Sequence, residues 1–177
     1  MIRILAMLIV LAGPLMMPMA SAAQETEPPM TLQRMAEIVL VIDPEAQIGP
    51  GGLELTIADI PVLIVMNERA NRMRAMVPIR STEGIEADEL LRLMQANFDA
   101  ALDARYAIGQ GRLWGVFIHP LAALEREQLL SALAQTVNLA RSYGSLYTGG
   151  ANVFGRGDSS EIYQNLFEDL VARGQDI

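Results

Sequence analysis

The sequence predicts an α+β fold: an antiparallel sheet of about five strands with helices packed to one side, ordered helix, three strands, helix, two strands, helix, helix. Apolar and polar residues alternate at Leu53–Ile57 and Arg72–Arg80, while the flanking segments carry a helical period. Only short turn signals separate consecutive strand-like segments, which joins them as hairpins and not through parallel crossovers. No period of roughly 20 to 50 residues recurs, so a repeat array is excluded.

The chain opens with one charge, Arg3, then an apolar run from Ile4 to Ala12, a break at Gly13-Pro14, and small residues through Ala20-Ser21-Ala22-Ala23. Residues 1–23 therefore read as a secretory signal peptide cut after Ala22 or Ala23, with an uncleaved membrane anchor as the alternative. The expected location is periplasmic or secreted. Residues 24–29, polar and ending in Pro28-Pro29, read as a flexible tail.

A domain is expected over residues 30–143. Leu32, Met35, Ala36, Val39 and Ile42 fall at helical spacing, and Asp43-Pro44 ends that helix. Gly49-Pro50-Gly51-Gly52 reads as a loop. Leu53, Leu55 and Ile57 alternate with Glu54 and Thr56 as a half-buried strand. The nearly continuous apolar run Ile60–Met66 predicts a central strand covered on both faces. In the third strand Met73, Ala75, Val77 and Ile79 face one way and Arg72, Arg74 and Arg80 the other. Pro78, which cannot donate to a ladder, predicts an edge or a strand end. Arg72 and Arg74 suit a small anion, or pairing with acids on a neighbouring strand.

The next helix, about 86–102, is apolar on more than one stripe through Leu90, Leu91, Leu93, Met94, Phe98, Ala101 and Leu102. Two apolar faces call for two partners, one the sheet and the other a second subunit. Leu90, Leu91, Met94, Phe98 and Leu102 are thus a candidate dimer or partner face. Strands at 105–108 and 112–118 follow, joined at Gly109-Gln110-Gly111. A long helix over 122–143 buries Leu130, Leu133, Val137 and Ala140 and stops at Gly144. Residues 144–157 form a Gly-rich loop. Asp158 and Glu161 compose a capping box that starts a last helix over 158–173.

Composition removes much chemistry. The chain of 177 residues has no cysteine, one histidine, and 13 arginines with no lysine against 21 acids, for a net charge of −8. Loss of residues 1–23 removes Arg3 and no acid, leaving 12 arginines against 21 acids, or −9. Disulfides, thiolate chemistry and Cys-ligated metals are excluded, and nucleic acid is disfavoured as a partner. The residues imply no cofactor and no metal, and a membrane is contacted only through an uncleaved signal segment. His119, at a strand end before Pro120, is the one candidate for acid–base work, as a hydrolase with carboxylates, and a structural role is the favoured alternative. Gly109-Gln110-Gly111 lacks the helix that a dinucleotide fingerprint requires. Arg156-Gly157-Asp158 spells an adhesion tripeptide, but Asp158 is explained as a helix cap. Met73, Met76 and Trp114 form a candidate peptide groove, with core packing as the plainer use.

The segments Asn71–Pro78, Leu90–Phe98 and Gly111–Ile118, and the helix after His119-Pro120-Leu121, together with the element order, resemble the type III secretion (Tir) chaperone-like fold, including YbjN-type proteins. The resemblance spans roughly residues 30 to 143. It implies a non-enzymatic protein that binds unfolded or extended peptide, as a homodimer contacting through the middle helix. Export and the 145–173 segment depart from that family's pattern. The function expected is peptide or protein binding of a chaperone-like kind, and the alternative is a structural or regulatory cell-envelope subunit.

Overall fold

The structure is a computed structural model and describes residues 27–99, 102–144 and 161–174. Its elements are α1 (Leu32–Ile42), β1 (Gln47–Gly49), β2 (Gly52–Ile57), β3 (Ile60–Asn67), β4 (Arg72–Ser81), α2 (Ala87–Asp99), β5 (Arg105–Gly109), β6 (Arg112–His119), α3 (Arg126–Ser142) and α4 (Glu161–Gly174). The α+β class and the antiparallel sheet agree with the sequence. The sheet has six strands in the order β1-β2-β3-β4-β6-β5.

The sixth strand, not expected from the sequence, is Gln47–Gly49, which leads into the loop read at Gly49–Gly52. Gln47–Gly49 folds back on Gly52–Glu54, so Gly49-Pro50-Gly51-Gly52 is a hairpin turn. Gly52 has a φ of 132°, and a Cβ there would stand 2.2 Å from the Ile64 carbonyl oxygen. Only glycine tolerates both conditions. Asp43 joins this hairpin to α1: it ends the helix and its carboxylate accepts from the amides of Glu45 at 3.0 Å and Thr56 at 2.7 Å.

β4 does not stop at Pro78: it runs on to Ser81 beside β6 alone, because the pairing with β3 ends at Met76, and Pro78 thus stands at a local edge, as a residue that cannot donate to a ladder requires. The missing N–H therefore falls beyond the β3 ladder. A register shift between Pro78 and Arg80 then places Arg80 opposite Leu113, on the helix-covered side, and not with Arg72 and Arg74.

The covered face carries Leu53, Leu55, Val62, Ile64, Ala75 and Leu113, all buried. On it lies α3, packed against β3, β4, β5 and β6, while α4 packs on α3 and α1, and α2 touches β5. Sandwiched between the sheet and α4, α3 is buried nearly all round, not along the single stripe that its period predicts. It begins at Arg126, because Leu121–Leu124 forms a separate turn and Gln128 accepts from the Glu125 amide at 3.0 Å to complete a capping box. The helix seats closely: a Cβ on Gly115 would lie 3.1 Å from the Thr136 carbonyl oxygen and 3.4 Å from Leu139 Cβ. Four buried polar residues of α3 are retained. Gln135 takes the amides of Asp103 and Ala104, each at 2.9 Å, and Thr136 and Ser142 bond back to α3 carbonyls. Tyr106 donates to the Leu139 carbonyl at 3.1 Å.

The end of the segment read as a tail contacts the folded domain. The Arg126 amide donates to Glu27 Oε2 at 3.0 Å, Arg34 pairs with Glu27, and Met30 is fully buried. Arg126 also donates to the Gly174 carbonyl at 2.8 Å, so tail, α3 and the end of α4 meet at one point. The last helix belongs to the same core, through Leu166 and Leu170. The signal segment, the 145–157 loop, the Arg156-Gly157-Asp158 tripeptide and the Asp158 cap lie outside the described residues.

Two outcomes follow. Gly115→Val should lower the unfolding free energy by about 1–3 kcal/mol through overpacking, read from urea unfolding. Glu27's carboxyl is held below its ordinary 4.5 by the Arg126 amide, with burial opposing and Arg34 assisting. A depressed carboxyl stabilises above its unfolded value, and that contribution is lost as pH falls through the lowered folded value. Glu27→Gln should therefore lose stability relative to the parent at neutral pH and converge with it in acid, as urea midpoints across that range would show.

Candidate functional site

Two apolar surfaces stand outside the core. The first is the outer side of α2. Leu93 and Ala96 point inward and are buried, whereas Leu91, Met94 and Phe98 are 59%, 52% and 78% exposed. These three recur at helical spacing and form one stripe. Of the other two residues of the candidate face, Leu90 packs partly against the core and Leu102 is half-buried. Side chains hold the helix in place. Asn97 Oδ1 accepts from the Tyr106 amide at 2.7 Å and its Nδ2 donates to the Tyr106 carbonyl at 3.1 Å, so a side-chain amide pairs with the outer edge of β5. At the other end the Tyr143 hydroxyl donates to Glu89, and Arg80 donates to the same hydroxyl at 3.3 Å.

The second surface is the face of the sheet that no described helix covers. Strand alternation places Leu63, Val65, Met76, Trp114, Val116 and Ile118 there, outside the core cluster, with Ile118 55% exposed. The β3 run predicted to be covered on both faces is thus covered on one. The candidate groove divides between the faces: Met76 and Trp114 lie on the uncovered side, while Met73 is only 1% exposed in the core. Met73 and Met76 are three apart, so alternation sends them to opposite faces. An open groove of about 550 Å³ runs along this surface between Trp114, Pro78 and Leu63 and the acidic rim of Asp43, Glu45 and Glu54.

The acid–base candidate lies elsewhere. His119 lines a cleft of about 620 Å³ with Asp103, Glu125, Glu127 and Ser131. Its ring stacks on Phe117 at 5.9 Å, and Nδ1 lies 2.8 Å from the Pro120 carbonyl. A carbonyl only accepts, so Nδ1 carries the proton and Nε2 is the basic nitrogen. The Ser131 hydroxyl is engaged by Tyr163 at 2.9 Å and Gln135 at 3.1 Å, and Glu125 is the helix cap. A hydroxyl bonded directly to the imidazole, as a Ser–His or Thr–His nucleophile pair requires, is not found among the described residues. No group of three or more His, Asp or Glu among them could hold a metal, and no helix among them is long and apolar enough to cross a membrane.

Sequence reasoning found the α2 stripe, because a helix period separates Leu91, Met94 and Phe98 from Leu93. It missed Asn97, whose role depends on where β5 passes. It also missed the extent of the uncovered face. The available signal was that β3 and β6 are apolar at both parities of their alternation.

No family model and no curated protein matches the chain. Among solved structures, a chain from the structure of the HopA1-SchA chaperone–effector complex is similar, at 13% sequence identity and a TM-score of 0.45, over 55% of this chain and 79% of that one. Likeness of that degree transfers neither function nor site residues.

Asn97→Ala should speed hydrogen exchange at the Tyr106 amide and cost about 1 kcal/mol in stability, with the exchange of β3 and β4 amides unchanged.

Proposed function

We propose that this chain is a non-enzymatic, exported protein that binds peptide or protein partners in a chaperone-like way. The observation that carries the reading is the exposed stripe of Leu91, Met94 and Phe98 on a helix whose opposite side is already buried. Large apolar side chains grouped on one exposed face are the usual mark of a docking surface. Leu90 and Leu102 flank the stripe, and a second copy contacting through this face is the dimer that the family resemblance implies. Met76 and Trp114, on the uncovered sheet face, offer a further surface for an extended segment. The resemblance of residues 30–143 to secretion chaperones supports the same function, and the signal character of residues 1–23 supports export. A fixed structural or regulatory role in the cell envelope would use the same stripe with one constant partner.

The full chain should bind a chemically unfolded model protein saturably and delay its aggregation. Leu91→Ser/Met94→Ser/Phe98→Ser should weaken that binding by about tenfold or more while leaving the melting temperature within a few degrees, since all three side chains face solvent. A flat titration together with a monomeric mass by light scattering would reject the reading.

A further inference from the structure

The uncovered sheet face has a charge pattern of its own. The paired registers run across it as Glu54, Leu63, Met76, Val116 and Arg105, one residue per strand from β2 to β5. An acid thus stands at one end, a base at the other, and three apolar residues between them. The span is about 19 Å, four strand spacings. In the adjacent row Arg74 sits between Val65 and Ile118, both apolar. Two positions before Arg74, Arg72 lies on the same face, and Arg112 lies over the Trp114 ring at 5.9 Å.

None of Arg72, Arg74, Arg105 and Arg112 has a carboxylate within salt-bridge distance among the described residues, where the pairs formed are Arg34–Glu27, Arg80–Glu89 and Arg173–Asp169. Carboxylates are not scarce in a chain with 21 acids to 13 arginines. The cross-strand pairing expected for Arg72 and Arg74 is absent because their β3 and β6 neighbours present no acid. Arg72 donates to the Asn71 carbonyl at 2.9 Å, and Arg105 donates to the Leu102 and Ala104 carbonyls at 2.5 and 2.9 Å, which leaves each guanidinium further N–H donors. Arginine stems lie along apolar surface, and a carboxylate is the planar acceptor that matches a guanidinium.

We infer that the β4–β6–β5 half of this face docks a segment of another protein in which carboxylates alternate with apolar side chains. Its acids meet Arg74 and the neighbouring arginines, and its apolar groups lie on Met76, Val116 and Trp114. The acidic rim of Asp43, Glu45 and Glu54 repels such acids and confines them to the arginine half. The same rim, with the net charge of −8, opposes an anionic membrane pressed against this face. The inference rests on the protein-binding reading and adds the chemistry of the partner.

Trp114 is the single tryptophan of the chain and a built-in reporter. The full chain is titrated with peptides of about ten residues in which apolar residues alternate with Glu, Gln or Lys, and separately with vesicles containing anionic lipid. The Glu peptide should shift Trp114 emission and bind about tenfold tighter than the Lys peptide, with the difference shrinking in high salt. Arg74→Glu should weaken the Glu peptide by about tenfold and strengthen the Lys peptide, and Arg74→Gln should fall between. Equal binding of all three peptides would overturn the charge selectivity while leaving the protein-binding reading intact. A response to anionic vesicles as strong as that to the Glu peptide would overturn the choice of a protein partner. Silence of Trp114 toward every peptide, while an unfolded client still binds at α2, would overturn the site itself.

Discussion

The close seat of α3 on the sheet is the constraint from which the other packing follows. Gly115 permits it, since a side chain there would press on the Thr136 carbonyl oxygen at 3.1 Å. Once α3 lies that close, its inner face is filled by the sheet and its outer face needs its own cover, which α4 provides, packed in turn on α1. The buried polar residues of α3 then act as fixed attachment points and are not defects. Gln135 receives the first amides of the chain entering β5, and the Leu139 carbonyl receives the Tyr106 hydroxyl. Losing one partner of such a pair would strand a buried polar group at a cost near that of its desolvation.

Because every described helix is committed to one face or one edge, nothing among the described helices covers the other face of the sheet. That asymmetry links fold to function. A sheet with one solvated face ordinarily alternates apolar and polar residues, yet here both faces of β3 and β6 are apolar. The surplus apolar surface and the α2 stripe are a cost in water, and the proposed partner would cover them. The cleft around His119 differs in kind. Its hydroxyl and its nearest helix-capping acid already serve structural bonds, so it reads as a polar seam between β6 and the start of α3.

Much of this was legible in one sequence. The order of helices and strands, the Gly109-Gln110-Gly111 hairpin and the α2 stripe follow from local period and turn chemistry, which depend on residues a few positions apart. The errors have one cause: each needed knowledge of a distant neighbour. β1 forms only because Gly52 can approach Ile64, and Arg80 leaves the face of Arg72 and Arg74 only because the ladder with β6 shifts register after Pro78. The contact of Glu27 with an amide 99 residues away is equally invisible to local pattern.

By itself the sequence determined the class of fold, the exclusion of thiol, disulfide and multi-histidine chemistry, and the presence of more apolar surface than one layer of helices uses. Those depend on composition and on periods of 2 and 3.6 residues, which are local quantities. Only the tertiary structure decided that Met73 and Met76 part company across the sheet, that Asn97 pairs with the β5 edge, and that the arginines of β4, β5 and β6 share one face of the sheet with the acids gathered at its far end. Register and layer order bring those residues together or hold them apart, and both are set by packing across the whole chain.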